Sequence, residues 1–189
     1  MGTAARGVEV EVKLAVSNAA AIRRALRRLG FLLSSREHER NIVLDTEGQA
    51  LRQNTCLLRL RRHGHRWKLT FKGPPADDAN YKARPETETE VADGERLLQI
   101  LEQLGYRQVF LYEKRRSTYR QGDRGPEASL DVTPIGTFLE LEGPRRWIDR
   151  VAGALGFSRE DYITLSYTQL YLQDCLQRGR KPSNMVFGR

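Results

Sequence analysis

Residues 8–15 read Val-Glu-Val-Glu-Val-Lys-Leu-Ala, and this strict alternation constrains the chain more than any other feature. A strand sends successive side chains to opposite faces, so Glu9, Glu11 and Lys13 share one face and Val8, Val10, Val12 and Leu14 the other. One such strand fits a half-solvated antiparallel sheet. That is the common case for a single strand; the alternative is a sheet curled around a polar interior, its apolar face covered from outside by helices. Whether the pattern recurs decides between the two.

It recurs along the chain. Residues 55–62 read TCLLRLRR, with Arg59 and Arg61 opposite Leu58 and Leu60. A His63-Gly64-His65 turn leads into RWKLTFK, where Lys68, Thr70 and Lys72 oppose Trp67, Leu69 and Phe71. Glu86, Glu88 and Glu90 share a face after Pro85, which argues for an edge or the start of a paired region. Residues 106–120 form a long strand carrying Lys114 and Arg116, 128–132 a strand carrying Asp131, and 137–142 a strand with Glu140 and Glu142 against Leu139 and Leu141. The signs are sorted by strand, acids at Glu9, Glu86 and Glu140, bases at Arg59, Lys68 and Lys114.

Helices are available to cover the apolar faces. Ser17 or Asn18 caps one that ends at Gly30, and Asp93 caps another that ends at Gly105. Pro144 opens a third, and Thr164 or Ser166 starts the last. Residues 50–54 read as a lead into the next strand. With the helices outside, the charged faces must look at each other, and a closed antiparallel barrel achieves this while removing sheet edges. Trp67, Phe71 and Trp147 are then outer-face core, and Cys56 is packing. The fold class is α+β, an antiparallel β-barrel with helices packed outside.

Unpartnered buried charges cost several kcal/mol each. Ligands lower that cost. Clustered carboxylates suit a hard divalent cation such as Mg²⁺ or Mn²⁺, and clustered Arg and Lys suit phosphate oxygens. An interior with both suits a metal–polyphosphate complex. The formal net charge of +8 points the same way, toward an anionic partner. Cys56 and Cys175 are too far apart for a zinc motif or a disulfide framework, so a reducing cytoplasm is expected. No apolar run approaches the roughly 20 residues of a membrane span, and residues 1–7 lack a signal core.

The ordered set of motifs resembles the CYTH superfamily, the triphosphate tunnel metalloenzymes. Glu9-Val-Glu-Val-Lys13 is similar to the family's ExExK signature. It is followed in order by Leu58-Arg-Leu-Arg61, Lys68-Leu-Thr-Phe-Lys-Gly-Pro74, Arg84 with Glu86, Glu88 and Glu90, Lys114-x-Arg116, Asp131, and Gly136-x-Phe-x-Glu-Leu-Glu142. Ser166-Tyr-x-x-Leu170 resembles the C-terminal segment of the class IV cyclase-like branch. The resemblance implies an eight-stranded antiparallel tunnel over residues 1–177, followed by a basic tail at 178–189 that reads as a disordered solubilising end.

The resemblance further implies that Glu9, Glu11, Glu140 and Glu142 bind metal, with Glu88, Glu90 and Asp131 as further candidates. Arg59, Arg61, Lys68, Lys72, Arg84, Lys114 and Arg116 would grip the phosphates, and the Mg²⁺ or Mn²⁺ ion would be the cofactor. Lys13 inherits a role as general base or substrate contact. The surrounding carboxylates oppose its deprotonation, which favours a phosphate contact. Parity with Lys114 favours Arg116 over Arg115 as the inward residue, and a bulge would swap them. His38, His63 and His65 are assigned to solvated positions.

The expected reaction is hydrolysis of the terminal phosphate of an inorganic or organic triphosphate: tripolyphosphate, ATP or thiamine triphosphate. The alternatives are conversion of ATP to cyclic AMP and pyrophosphate, as in a class IV adenylate cyclase, and a non-catalytic polyphosphate- or nucleotide-binding module. No base-reading pocket is evident in the sequence. A membrane is not expected as partner, and a homodimer is compatible with this reading. Nucleic acid is a weaker rival, because its basic residues should lie outside among exposed aromatics.

Overall fold

A computed structural model describes residues 7–78, 80–123 and 125–188. In chain order the elements are β1 (Gly7–Val16), α1 (Ala19–Arg28), β2 (Leu32–Thr46), α2 (Ala50–Gln53), β3 (Leu57–His63), β4 (Arg66–Lys72) and β5 (Lys82–Val91). They continue with α3 (Gly94–Gln103), β6 (Tyr106–Arg120), β7 (Glu127–Thr133), β8 (Gly136–Glu142), α4 (Arg145–Ala154) and α5 (Tyr167–Gln177). The eight strands close into an antiparallel barrel in the order β1-β5-β4-β3-β2-β6-β7-β8.

Alternation sorts the barrel's two faces as the sequence reading expects. Outside, Val12, Leu14, Leu139 and Leu141 are fully buried under α1 and α4, against Leu26, Ile148 and Val151. A second outer core joins Leu44, Leu58, Leu60 and Leu111 to Leu97, Leu98 and Leu101 of α3 and to Trp67. Each fully buried aliphatic side chain contributes about 2 kcal/mol by transfer from water. Helix α3 lies so close to β4 that a Cβ on Gly94 would stand 2.1 Å from the Trp67 ring. Phe71 departs from expectation: it is 41% exposed rather than core.

Helix starts follow local capping chemistry. The side chains of Asn18 and Asp93 accept from the backbone N–H groups of Ala21 and Arg96. Ser166 and Gln169 form a reciprocal capping box at α5. Residues 50–53 form the short helix α2 rather than a lead into β3, because Asp45 accepts from the backbone N–H groups of Leu51 and Arg52 and anchors its first turn.

Two departures concern the C-terminal part. Helix α5 does not lie outside. Val43, Phe110, Tyr112 and Phe138 share parity with the inward-facing charges, and α5 covers them with Tyr167, Tyr171 and Cys175. It therefore stops one end of the barrel from within. Residues 178–188 are not a disordered end. Met185 is 1% exposed and pairs with β6, its N–H donating to Leu111 O at 2.9 Å and its C=O accepting from Glu113 N at 2.9 Å. The β7 ladder on β6 stops at Arg115, which leaves that edge unsatisfied, and the segment supplies the missing hydrogen bonds. Ile163 does the same for β1, exchanging backbone bonds with Lys13 at 3.0 and 2.8 Å.

Candidate active site

The barrel encloses a cavity of about 490 Å³. Strand β1 contributes Glu9, Glu11 and Lys13, and β8 contributes Glu140 and Glu142, each placed by the two-residue period of its strand. Strands β3 and β4 contribute Arg59, Arg61, Lys68 and Lys72. Strand β5 contributes Arg84, Glu86 and Glu88, and β6 contributes Lys114 and Arg116.

The pairing register sets the neighbours. Glu11 stands opposite Glu142 and Lys13 opposite Glu140 across β1 and β8. Lys13 Nζ donates to Glu11 at 3.0 Å and lies 3.3 Å from Glu140. Burial alone would lower the Lys13 pKa, but Glu11 and Glu140 outweigh it and hold the ammonium above its ordinary range. Lys82 donates to the same Glu11 oxygen at 3.0 Å, and burial still pulls its pKa down to about 8. Burial would raise Glu11, and the two lysines reverse that, holding the carboxylate well below the usual range.

Glu9 and Glu142 behave differently. Burial pushes Glu9 up to about 8, with the charge of Glu11 adding to it and Lys72 opposing. Lys72 bridges Glu9 and Glu86, standing 2.9 Å from the latter. Glu142 is pushed up to about 7 by burial and by Glu127 and Glu11. These carboxyls are crowded beyond what the nearby lysines neutralise.

A second charge cluster lies deeper. Asp131, fully buried, accepts from Lys114 at 2.9 Å, from the Arg116 fork at 2.7 and 2.6 Å, and from the Tyr167 hydroxyl at 2.7 Å. Arg116 also clasps Glu140. Glu39, likewise fully buried, sits 3.2 Å from Arg61 and 3.5 Å from Lys114. Burial would raise its pKa, and Lys114, Arg61 and Arg116 together hold it far below the carboxylate range.

Two guanidiniums stand apart. Arg59 and Arg84 are each 7% exposed, and the Nε of each lacks a hydrogen-bond partner. Neither has a carboxylate within 4.0 Å among the described residues. Arg84 faces Glu9 across β1 and β5, but Glu9 and Glu11 are taken by Lys72 and Lys82. Arg59 has Thr70 Oγ1 at 3.3 Å and the Tyr112 hydroxyl beside it, and against the cost of burial Tyr112, Glu39 and Glu86 hold its guanidinium charged from beyond salt-bridge distance.

Of the residues expected at the site, those of β1, β3, β4, β6 and β8, with Arg84, converge on one interior. Arg116 points inward, in phase with Lys114. Glu88 is at the rim, paired with Lys68 at 2.7 Å. Glu90 is exposed and away from the cavity wall. Asp131 lies behind the wall, its oxygens committed to three donors. Sequence reasoning missed Glu39, Lys82, Glu127, Tyr112 and Tyr167. Lys82 and Glu39 carried the right parity with Arg84 and Asn41, but no motif marked them. Tyr167 stood in the Ser166-Tyr-x-x-Leu170 motif without a site role, because it reaches the tunnel from a helix and not from a charged strand face.

The donor set suits a hard divalent cation. It consists of carboxylate oxygens, and Glu9 and Glu142 are raised first by burial and then by neighbouring carboxylates, a cost of ionisation that such an ion would relieve. Among the described residues no three His, Cys, Asp or Glu side chains converge on one point; Glu9 is paired with Lys72, and Glu11 with Lys13 and Lys82. An ion entering there would displace those ammoniums.

A family model described as the CYTH domain matches residues 7–155. A Methanocaldococcus jannaschii protein named "putative adenylate cyclase" is 30% identical over 174 residues, covering 86% of this chain and 98% of its own. The structure of the PH1012 protein of Pyrococcus horikoshii is similar at a TM-score of 0.73 and 27% identity, over 86% of this chain and 98% of that one. A Hippeastrum protein, described as a putative adenylyl cyclase with a dominant triphosphatase activity, shares the fold at a TM-score of 0.63 and 20% identity, over 92% and 97% of the two chains.

Proposed function

Because the chain belongs to the CYTH domain family, we propose that it is a divalent-metal-dependent enzyme that hydrolyses the terminal phosphate of a triphosphate drawn into the tunnel. The observation that carries this reading is the pair Arg59 and Arg84. A buried guanidinium without a carboxylate is costly, and one with an orphaned Nε is costlier. Two of them on one cavity wall make sense if a multiply charged anion arrives to accept their hydrogen bonds. Phosphate oxygens match that geometry and charge.

The remaining residues fall into roles. Arg61, Lys68, Lys72, Lys114 and Arg116 extend the cationic wall along which successive phosphates lie. Asp131 and Glu39 hold Lys114, Arg116 and Arg61 in place, so that these cations need not reorganise when substrate binds. Lys13, fixed between Glu11 and Glu140, stays an ammonium and donates to a phosphate oxygen; a general-base role would require the proton that its neighbours retain. Glu9, Glu11, Glu140 and Glu142 would hold Mg²⁺ or Mn²⁺, which supplies neutralisation of phosphate charge and activation of the phosphoryl group. Tyr167 and α5 close one end and exclude bulk water from it.

The Methanocaldococcus jannaschii relative is named for cyclisation of ATP and the Hippeastrum protein is described by triphosphate hydrolysis. Both reactions need the same cage and differ in nucleophile and pose. Product analysis separates them. Tripolyphosphate, ATP and thiamine triphosphate are incubated with the protein, with and without Mg²⁺ or Mn²⁺. Metal-dependent release of orthophosphate supports the proposal. Cyclic AMP with pyrophosphate from ATP would reassign the chain as a cyclase. Binding with no turnover under either metal would make it a polyphosphate-binding module.

A further inference from the structure

Three lysines crowd the carboxylates of β1, and they are not held alike. Among the described residues Lys13 has Glu11 and Glu140 within 4.0 Å, and Lys72 has Glu9 and Glu86. Lys82 has Glu11 alone, at 3.0 Å. Lys13 is also walled in, with the Tyr167 ring 5.4 Å from its Nζ and its backbone paired to Ile163. Lys82 opens β5 and stands opposite Glu11 in the pairing with β1. It lines both the tunnel and a second cavity of about 900 Å³ beside it, whereas Lys13 and Lys72 line the tunnel only. Lys82 therefore has room to move. The carboxylates of the second cavity are Asp45, Asp77 and Asp78. Asp45 accepts from the backbone N–H groups of Thr46, Leu51 and Arg52, Asp78 is paired with Arg145, and Asp77 is exposed.

We propose that Lys82 is an exchangeable counter-ion: it neutralises Glu11 in the metal-free tunnel, releases that carboxylate to the divalent cation, and turns its ammonium onto a phosphate of the incoming substrate beside Arg84. A hard cation needs a free carboxylate oxygen, and Lys82 holds the same Glu11 oxygen that Lys13 holds. Moving Lys82 breaks one ion pair, while moving Lys13 or Lys72 breaks two. A lysine ammonium is a point charge on a flexible four-carbon stem, so it can change partners without moving the strand. Leaving Glu11 strands a buried charge unless another anion receives it. Arg84, with its unpaired Nε, borders the same junction and marks where that anion sits. Metal and triphosphate then favour each other's binding through one side chain, and the coupling is reciprocal. The inference rests on the triphosphate reading above and assigns Lys82 its part in it.

The test is calorimetry on the full chain, with Mn²⁺ alone and with tripolyphosphate in the presence of a chelator. Lys68→Met, which removes a paired ammonium from the rim, gives the effect of lost charge alone. Lys82→Met should bind Mn²⁺ about tenfold more tightly than Lys68→Met, and metal-free tripolyphosphate about tenfold more weakly than the wild type. A lysine that only supported the wall would weaken both ligands together. Lys82→Arg, whose planar fork grips a carboxylate at two points, should bind Mn²⁺ more weakly than the wild type, and it decides the matter if the methionine variant does not fold. Equal Mn²⁺ affinity in Lys82→Met and Lys68→Met would overturn the exchange, as would wild-type Mn²⁺ affinity in Lys82→Arg, while tripolyphosphate binding by the wild type kept the triphosphate reading standing. Absence of that binding would remove the triphosphate reading and this inference with it.

Discussion

The hydroxyl of Tyr167 donates to the Asp131 carboxylate at 2.7 Å, so the first residue of α5 is bonded to the wall of β7 inside the barrel. The Tyr167 ring also lies 5.4 Å from Lys13 Nζ and 5.1 Å from Lys114 Nζ. One aspartate thus fixes two cations and the helix that closes the tunnel.

Tyr167→Phe should therefore cost about 1.5–3 kcal/mol, the price of one charge-assisted hydrogen bond. Asp131→Asn should cost more, about 3 kcal/mol, because it removes the carboxylate shared by Lys114 and Arg116 and leaves them only Glu39 and Glu140 as anionic partners. Urea denaturation of both variants checks the order. Equal destabilisation would mean that Asp131 is not the hub.

Arg84→Met should weaken tripolyphosphate binding by about tenfold or more, since it deletes an unpaired donor facing the cavity. The same change removes a buried guanidinium that has no carboxylate partner, so the melting temperature should hold or rise. Calorimetry and thermal melting test both halves, and a large loss of stability would indicate a structural role instead.

Glu9→Gln and Glu11→Gln should both abolish metal-dependent turnover, yet differ in stability. Glu9 is already pushed up to about 8, so a neutral amide changes little near neutral pH. Glu11 accepts from both Lys13 and Lys82 at 3.0 Å, and its neutralisation strands the buried Lys82 and leaves Lys13 only Glu140, at a cost of about 3–5 kcal/mol. Turnover unchanged in either variant would remove that residue from the site.

The raised Glu9 pKa also sets a pH dependence for the metal-free protein. Between the ordinary glutamate value of 4.5 and about 8, the folded chain keeps a proton that the unfolded chain has lost. Stability therefore falls as pH rises through that window. Glu11 and Glu140 have the opposite sign: their lowered values stabilise the fold above 4.5, and that contribution disappears in acid. The Glu9 contribution to melting temperature should thus decline between about pH 4.5 and 8 in the wild type, and the net curve over that window should fall less steeply, or rise more, in Glu9→Gln. A parallel decline in both would show that Glu9 is not the group responsible.

Much of the site was legible because strand parity is a local property. Glu9, Glu11, Arg59, Lys114 and Arg116 could be placed on charged faces from their own neighbours alone. Glu90 shows the limit: it has the parity of Glu86 and pairs in register with Lys68, which lines the tunnel, yet its own side chain is exposed and off the cavity wall. The same limit concealed the C-terminal part. Residues 178–188 carry no periodicity, because Met185 and Asn184 bind β6 through backbone hydrogen bonds that leave no pattern in residue type.

The sequence by itself determined which side chains share a face, where the helices begin, and that the charged faces had to be turned toward one another. The tertiary structure alone decided which charge meets which: that Asp131 is consumed by Lys114, Arg116 and Tyr167, that Arg59 and Arg84 remain without carboxylates, and that α5 enters the barrel rather than covering it. The reason is range. Alternation acts over two residues, whereas the closure of β1 on β5 and β8 joins segments about 70 to 130 residues apart, and its register is set by the packing of the whole barrel.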